Sequence, residues 1–327
     1  MTYYADTAFN STAPRTLPPA PDNPTRLQRS AKKYTLHGKG TACREFIATE
    51  DMMIIDLLNH PTEEDKRDLA HPLHETFYWA SIKNPVTKLT MLRNAAAWLG
   101  FFGFLGGTVI GAIGMFVAVD PDFNSIYWPT LISIALLFYI LYKIPSTIIN
   151  KGWVTSKPNT AFHRRTGMVT FTWKGQRVSY PFDEFDIAVQ HVAGYSAELT
   201  YYPVLIHRYT GQFCRAGHSF WKIWEAEQDW ECLQQFMDVS QPLPDIPRLE
   251  PFRHRDPLTA QWDQQHQRPS HYWRNMSLDQ ANALRKKAQH AAQTFPWGLS
   301  HDVAIATGWQ PSGVGQGDWL QKNKQDA

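Results

Sequence analysis

The sequence predicts an α+β membrane protein: a two-helix transmembrane hairpin, then an antiparallel β-sheet domain closed by an amphipathic helix and a proline-rich strap. Three observations carry this. Two long apolar runs lie back to back, residues 95–119 with no ionisable side chain and residues 126–149 with Lys143 alone. Short alternating segments follow from Met168 onward. Behind them, residues 220–238 show helical periodicity and run into closely spaced prolines.

An α-helix rises about 1.5 Å per residue, so each apolar run is long enough for a hydrocarbon core of about 30 Å. Lys83, Lys88 and Arg93 precede the first run, and Lys143, Lys151, Lys157, Arg164 and Arg165 close or follow the second. The link, residues 120–125, holds two acids and no base. Lys and Arg favour the cytoplasmic side, so both termini are expected inside and the link outside. Trp98, Tyr142 and Trp153 fit the inner interface, Tyr127 and Trp128 the outer one. The bases Lys143, Lys151, Lys157, Arg164 and Arg165 read either as topology determinants or as lipid-headgroup contacts through charge-assisted bonds to phosphate.

Gly100, Gly103, Gly107, Gly111 and Gly114 form a stripe along the first run. Small residues at this spacing let another backbone approach closely. The stripe is a candidate packing face for the second span or for another membrane protein.

Mean hydropathy is negative over the 327 residues, so the flanks belong in water. A net charge of +2 is too small to argue for nucleic-acid binding. Three cysteines, Cys43, Cys214 and Cys232, are an odd number in a reducing compartment and argue against a disulfide framework. Residues 1–6 lack a basic and an apolar signal region, so no cleavable signal peptide is expected and the first span acts as the insertion signal.

Residues 1–45 read as a disordered basic tail, with five prolines and, from Arg15 to Arg44, seven bases against Asp22. Residues 46–92 read as a cytoplasmic helical segment, with an amphipathic helix at 49–60 presenting Met53, Ile54, Leu57 and Leu58. Residues 93–150 are the hairpin and 151–240 the sheet domain. Within the latter, Val169, Phe171 and Trp173 alternate, Lys174-Gly175 turns the chain, and Val178, Tyr180 and Phe182 return it. Further strands are expected at 197–201, 204–209 and 212–215. The helix at 220–238 turns Ile223, Ala226, Trp230, Leu233 and Met237 inward and Glu225, Glu227, Asp229 and Glu231 to water. Residues 241–327 comprise an ordered proline-rich strap, a helix at 277–293 opened by the capping box Ser277-Leu278-Asp279-Gln280, and an irregular or loosely docked tail with Trp297, Trp309 and Trp319.

The order of a transmembrane hairpin, strands and closing helix, with the texture of residues 164–185, resembles membrane-tethered bacterial PH-like domains. That likeness implies one strongly bent sheet with a helix across its open side. A second resemblance rests on Phe236-Met237-Asp238, on residues 242–250, on Arg253, on Asp256-Pro257-Leu258-Thr259 and on Trp273-Arg274. These are similar to an uncharacterised proteobacterial family of two-span membrane proteins associated with type VI secretion effector loci. The resemblance implies an immunity or accessory protein binding such an effector, and carries no site residues with it. A membrane-tethered scaffold, or a lipid- or protein-sensing adaptor, is the alternative, and a membrane-active effector a further one.

Catalytic motifs fail individually. His254-Arg255-Asp256 is followed by Pro257 and lacks the partners of a kinase loop. The glycine run at 313–317 opens no helix that would hold a phosphate. Cys214, His218 and His207 make a weak metal pattern, and Asp183, Glu184 and Asp186 read as a solvated loop before they read as an acid–base pair. No enzyme, cofactor or metal is expected; the expected partners are the bilayer and a protein.

Overall fold

The computed structural model of the protein describes residues 3–19, 21–30, 43–60, 88–117, 123–150, 160–193, 199–216 and 219–314. Helices α1 (Arg26–Ser30) and α2 (Ile54–Asn59) precede the long α3 (Lys88–Val117) and α4 (Phe123–Asn150). Strands β1 (Thr160–His163), β2 (Met168–Trp173), β3 (Gln176–Pro181), β4 (Phe185–Ala193), β5 (Leu199–His207) and β6 (Phe213–Arg215) follow. Helices α5 (Ile223–Met237), α6 (Pro257–Gln265), α7 (Leu278–Thr294) and α8 (His301–Ala306) come last. The chain divides into two units, Lys83–Lys157 and the remainder.

The smaller unit is the pair α3 and α4. Both are long and apolar enough to cross a membrane. Their outward faces carry exposed Trp98 (62%), Phe101, Ile110, Ile132, Leu136 and Leu137. The Thr108 and Ser133 hydroxyls bond within their own helix: Thr108 donates to the Phe104 carbonyl at 2.7 Å and Ser133 to that of Pro129 at 2.8 Å. Pro129 and Pro145 sit inside α4. Of the expected link, residues 120–122 lie outside the described residues, as do Lys151 and Lys157.

In the larger unit the described strands form two antiparallel three-stranded sheets, β1-β2-β3 and β4-β5-β6, where one bent sheet was expected. The β2–β3 hairpin forms at the expected place, with Phe171 opposite Val178. Lys174 (φ 47°) and Gly175 (φ 83°) both take the left-handed conformation that a two-residue hairpin turn needs. The two strands expected at 197–201 and 204–209 are one, β5, which carries Pro203 opposite Val189.

A 3₁₀ turn, Phe182–Glu184, and the start of β4 stand where a solvated acidic loop was expected. The acids there are bound by bases distant in sequence. Arg15 reaches Asp183 and Glu184, each at 2.8 Å, and Arg208 reaches Asp186 at 2.7 Å.

The core joins Phe162, Val169 and Phe171 of the first sheet to Ile187 and Leu205 of the second and to Trp230, Leu233, Phe236 and Met237 of α5. The proline-rich strap packs on this core. Leu243, Ile246 and Leu249 enter the same core, and a 3₁₀ segment, Pro247–Arg255, ends it. Each large apolar side chain so buried adds on the order of 2 kcal/mol.

Two expectations are corrected here, and one open alternative is decided for residues up to Val314. Residues 3–19 are not a free tail: Phe9 is in the core and Ala5, Ser11 and Arg15 bond to the domain. One apolar ring among polar neighbours has no periodicity to betray it. Glu227, Asp229 and Glu231 of α5 are buried, because the Cys43–Asn59 region covers the face that the heptad pattern assigns to water; Cys43 N donates to Glu231 Oε2 at 2.7 Å. The tryptophan-rich end is docked, with Trp309 in the core and its Nε1 donating to the Ala291 carbonyl at 2.9 Å. Trp319 lies outside the described residues.

Candidate functional site

The glycine stripe splits by direction. A Cβ at Gly100 would stand 3.0 Å from Phe138 Cβ, one at Gly111 2.5 Å from the Tyr127 ring, and one at Gly107 would collide with Leu131. Ascending α3 thus meets descending α4, so the helices are antiparallel and three of the five glycines serve their contact. Tyr127 locks it by donating to the Gly107 carbonyl at 2.6 Å. Gly103 meets nothing within 4 Å, and Gly114 is half-buried. Tyr127 and Trp128, expected at the outer interface, pack against Gly111.

Of the candidate headgroup bases, Lys143 is exposed on α4. Arg164 is the reverse of a headgroup contact: it is 1% exposed and its donors are consumed internally. Nε and Nη2 reach the Asp256 carboxylate at 2.9 and 3.3 Å. Nη1 donates to the carbonyls of Phe236 at 2.5 Å and Asp238 at 2.8 Å, and Nη2 to that of Gln241 at 2.7 Å. Helix ends leave carbonyls without intrahelical partners, and Arg164 fills that need at the end of α5. Arg165 bonds the Tyr3 carbonyl through Nε at 2.7 Å, with its guanidinium 5.1 Å from the Tyr3 ring.

Asp256 binds more than Arg164. It caps α6 by accepting from Thr259 N at 3.1 Å and takes the Tyr4 hydroxyl at 2.7 Å. Burial alone would raise its carboxyl, but Arg164 and these donors hold it below the usual carboxylate range. Burial pushes the Tyr4 hydroxyl up, with the bond to Asp256 adding to it and Arg164 opposing.

Two more buried arginines brace the strap. Arg253 forks onto Asp263 at 2.6 and 2.9 Å and donates to the Leu243 carbonyl at 2.9 Å. Arg268 forks onto Asp245 at 2.8 and 2.9 Å. The fully buried Trp273 completes the knot, Nε1 donating to Asp245 at 2.9 Å and its amide to Glu250 at 2.8 Å. Burial opposes ionisation of Asp245, yet Arg253 and Arg268 hold its carboxyl far below the usual range. Sequence inspection misses these pairs, because each joins residues at no motif spacing; only the density of Arg and Asp among prolines hints at them.

The residues weighed for chemistry are similarly tied. His207 Nε2 lies 3.1 Å from Glu184, Nδ1 lies 2.8 Å from the Thr210 hydroxyl, and the ring stacks on Tyr180 at 3.9 Å. Burial lowers its pKa, against the pull of Glu184. Cys214 is buried and its thiol pushed up by burial; His218 lies outside the described residues. Among the described residues no group of three or more His, Cys, Asp or Glu is placed to hold a metal.

Open concave surface lies elsewhere. A cleft of about 820 Å³ is bounded by α7 and the segment after α8, with Lys286, Lys287 and His290 on one side and Trp309 and Pro311 on the other. A second, of about 510 Å³, lies over the strap and is lined by His254, His271 and Arg274 beside the paired Arg253 and Arg268. No family model, curated protein or solved structure matches this chain.

Proposed function

We propose that this chain is a bacterial inner-membrane protein without catalytic activity that binds a protein partner, as an immunity or accessory protein of a type VI secretion effector. The observation that carries the membrane part is the outward surface of α3 and α4, where Trp98, Phe101, Ile110 and Leu136 are all more than half exposed. Apolar patches of this extent belong against lipid or protein. Binding is favoured over catalysis because the carboxylates and the imidazole nearest to an acid–base set, Asp183, Glu184, Asp186 and His207, are held by Arg15, Arg208, Thr210 and Tyr180. The effector as partner follows from the resemblance of residues 236–274 described above.

The headgroup-sensing alternative loses its strongest donor, since Arg164 is spent inside the domain. The topology expected is both termini cytoplasmic, with the link between α3 and α4 outside.

Carbonate extraction of membranes tests the anchor. The chain should stay in the pellet, and a reporter inserted after Asn124 should be periplasmic. Co-expression with the effector encoded beside it should restore growth and the two should co-purify. Release by carbonate would remove the anchor reading, and absence of both rescue and co-purification would remove the partner.

A further inference from the structure

The cleft between α7 and residues 307–312 is built, not incidental. Trp309 forms its floor, pinned by the bond from Nε1 to the Ala291 carbonyl and set edge-on to Phe295 at 4.9 Å. Gly308, at φ +100°, turns the chain out of α8 toward that floor. Ser312 ties the rim down: its amide donates to Glu45 at 2.7 Å, and its hydroxyl bonds the other oxygen of that carboxylate.

Above this floor stand Lys286, Lys287 and His290, all exposed and within one turn of α7. Among the described residues lining the cleft there is no Asp or Glu. The nearby Glu45 is occupied by Ser312. Among the described residues the surface therefore combines a positive edge with an apolar wall of Trp309, Pro296 and Pro311.

We propose that this cleft docks an acidic segment of a protein partner, one that also carries an apolar or aromatic side chain. The inference rests on the protein-binding reading above and names its surface. Carboxylates would meet the lysines, and the apolar side chain would cover Trp309. A nucleic acid fits less well: affinity for a phosphate backbone grows with the number of cationic contacts, and the described residues of this edge offer two lysines and no arginine. Because the cleft is held open by bonds already made, little ordering is needed on binding.

The test uses the full chain in nanodiscs of zwitterionic lipid and a short fluorescent peptide rich in Asp and Glu with one Phe. Binding read by anisotropy should weaken with added salt. It should fall about tenfold or more, equivalent to about 1.4 kcal/mol, in the Lys286→Glu/Lys287→Glu variant, and by less in Lys286→Gln/Lys287→Gln. Both variants should melt as the native chain does, since the two side chains are exposed. Equal peptide binding by native and charge-reversed chains overturns the proposal, as does tighter binding of a single-stranded oligonucleotide of matched charge. A chain that sediments with membranes and rescues growth yet ignores the peptide overturns the cleft alone, whereas a chain released by carbonate overturns the anchor.

Discussion

Arg164 and Asp256, 92 residues apart, meet at 2.9 Å where both are almost wholly buried. The pair connects the end of β1 to the cap of α6, and through Tyr4 it also holds the N-terminal segment. A buried ion pair is weak evidence of net stability, but breaking one strands a charge, at a cost of about 3–5 kcal/mol.

Arg164→Ala is therefore expected to destabilise the larger unit by about that amount, read from denaturant unfolding of the full chain in detergent. Arg164→Lys should recover little, because an ammonium does not fork onto Asp256 while filling the carbonyls at the end of α5. A variant that loses lipid binding but keeps native stability would restore the headgroup role and contradict the geometry.

The depressed carboxyls of Asp245 and Asp256 set an acid limit. Each binds protons less readily folded than unfolded, so its contribution is present above the unfolded carboxylate pKa of about 3.9. It is lost as pH falls from there through the folded value. Stability should decline below about pH 4, and Asp245→Asn, measured by thermal melting across that range, should flatten the decline while lowering the plateau.

Glu231 works in the opposite direction. Burial pushes its carboxyl up to about 8, against the bond from Cys43 N and together with Glu227. The folded chain then holds a proton that the unfolded chain releases above the ordinary glutamate range. Stability from this group is full below about pH 4.3 and falls as pH rises toward the folded value. Glu231→Gln keeps an oxygen to accept from Cys43 and removes the titration. It should be more stable than the native chain at pH 8, by several kcal/mol, and the gap should close at pH 4.5; a constant gap would mean that ionisation at Glu231 is not the cause.

What the sequence disclosed and what it hid follow from the range of the interactions. Local signals were sufficient for the long apolar runs that become α3 and α4, for the Lys174-Gly175 turn and for the capping box at Ser277 and Gln280, where both reciprocal bonds form. Residues read in isolation misled where a distant partner decides. Asp183 and Asp186 look solvated until Arg15 and Arg208 arrive, and Glu231 looks exposed until Cys43 covers it. Arg164 looked like a surface base for the same reason: its partners come from α5 and the strap. The glycine stripe was legible as a packing face, but its division into Gly107, which meets α4, and Gly103, which does not, needed the register of the two helices.

The docking of the N-terminal segment hinges on Gly167, whose φ of +67° suits glycine and whose missing Cβ admits the backbone of Thr7, Ala8 and Phe9. Ala5 N donates to the Arg165 carbonyl at 3.0 Å and Val239 N to that of Phe9 at 2.9 Å, so the segment threads between the β1–β2 turn and the strap. Gly167→Ala should dislodge it, and limited proteolysis should then cut within residues 3–19 while sparing the β2–β3 hairpin. Phe9→Ala should do the same through the core, costing about 3 kcal/mol.

Gly107 and Gly103 provide a contrast inside the hairpin. Gly107→Val would drive a branched side chain into Leu131 and displace Tyr127 from its carbonyl, so the helices must separate. Gly103→Val points into open space and should leave the pair intact. Cysteines placed at Gly100 and Phe138, whose positions face each other, report the outcome by disulfide cross-linking in membranes. Cross-linking should persist with Gly103→Val and drop sharply with Gly107→Val. Equal cross-linking in both would mean that α3 and α4 pack through another face, with the glycine stripe free for a different helix.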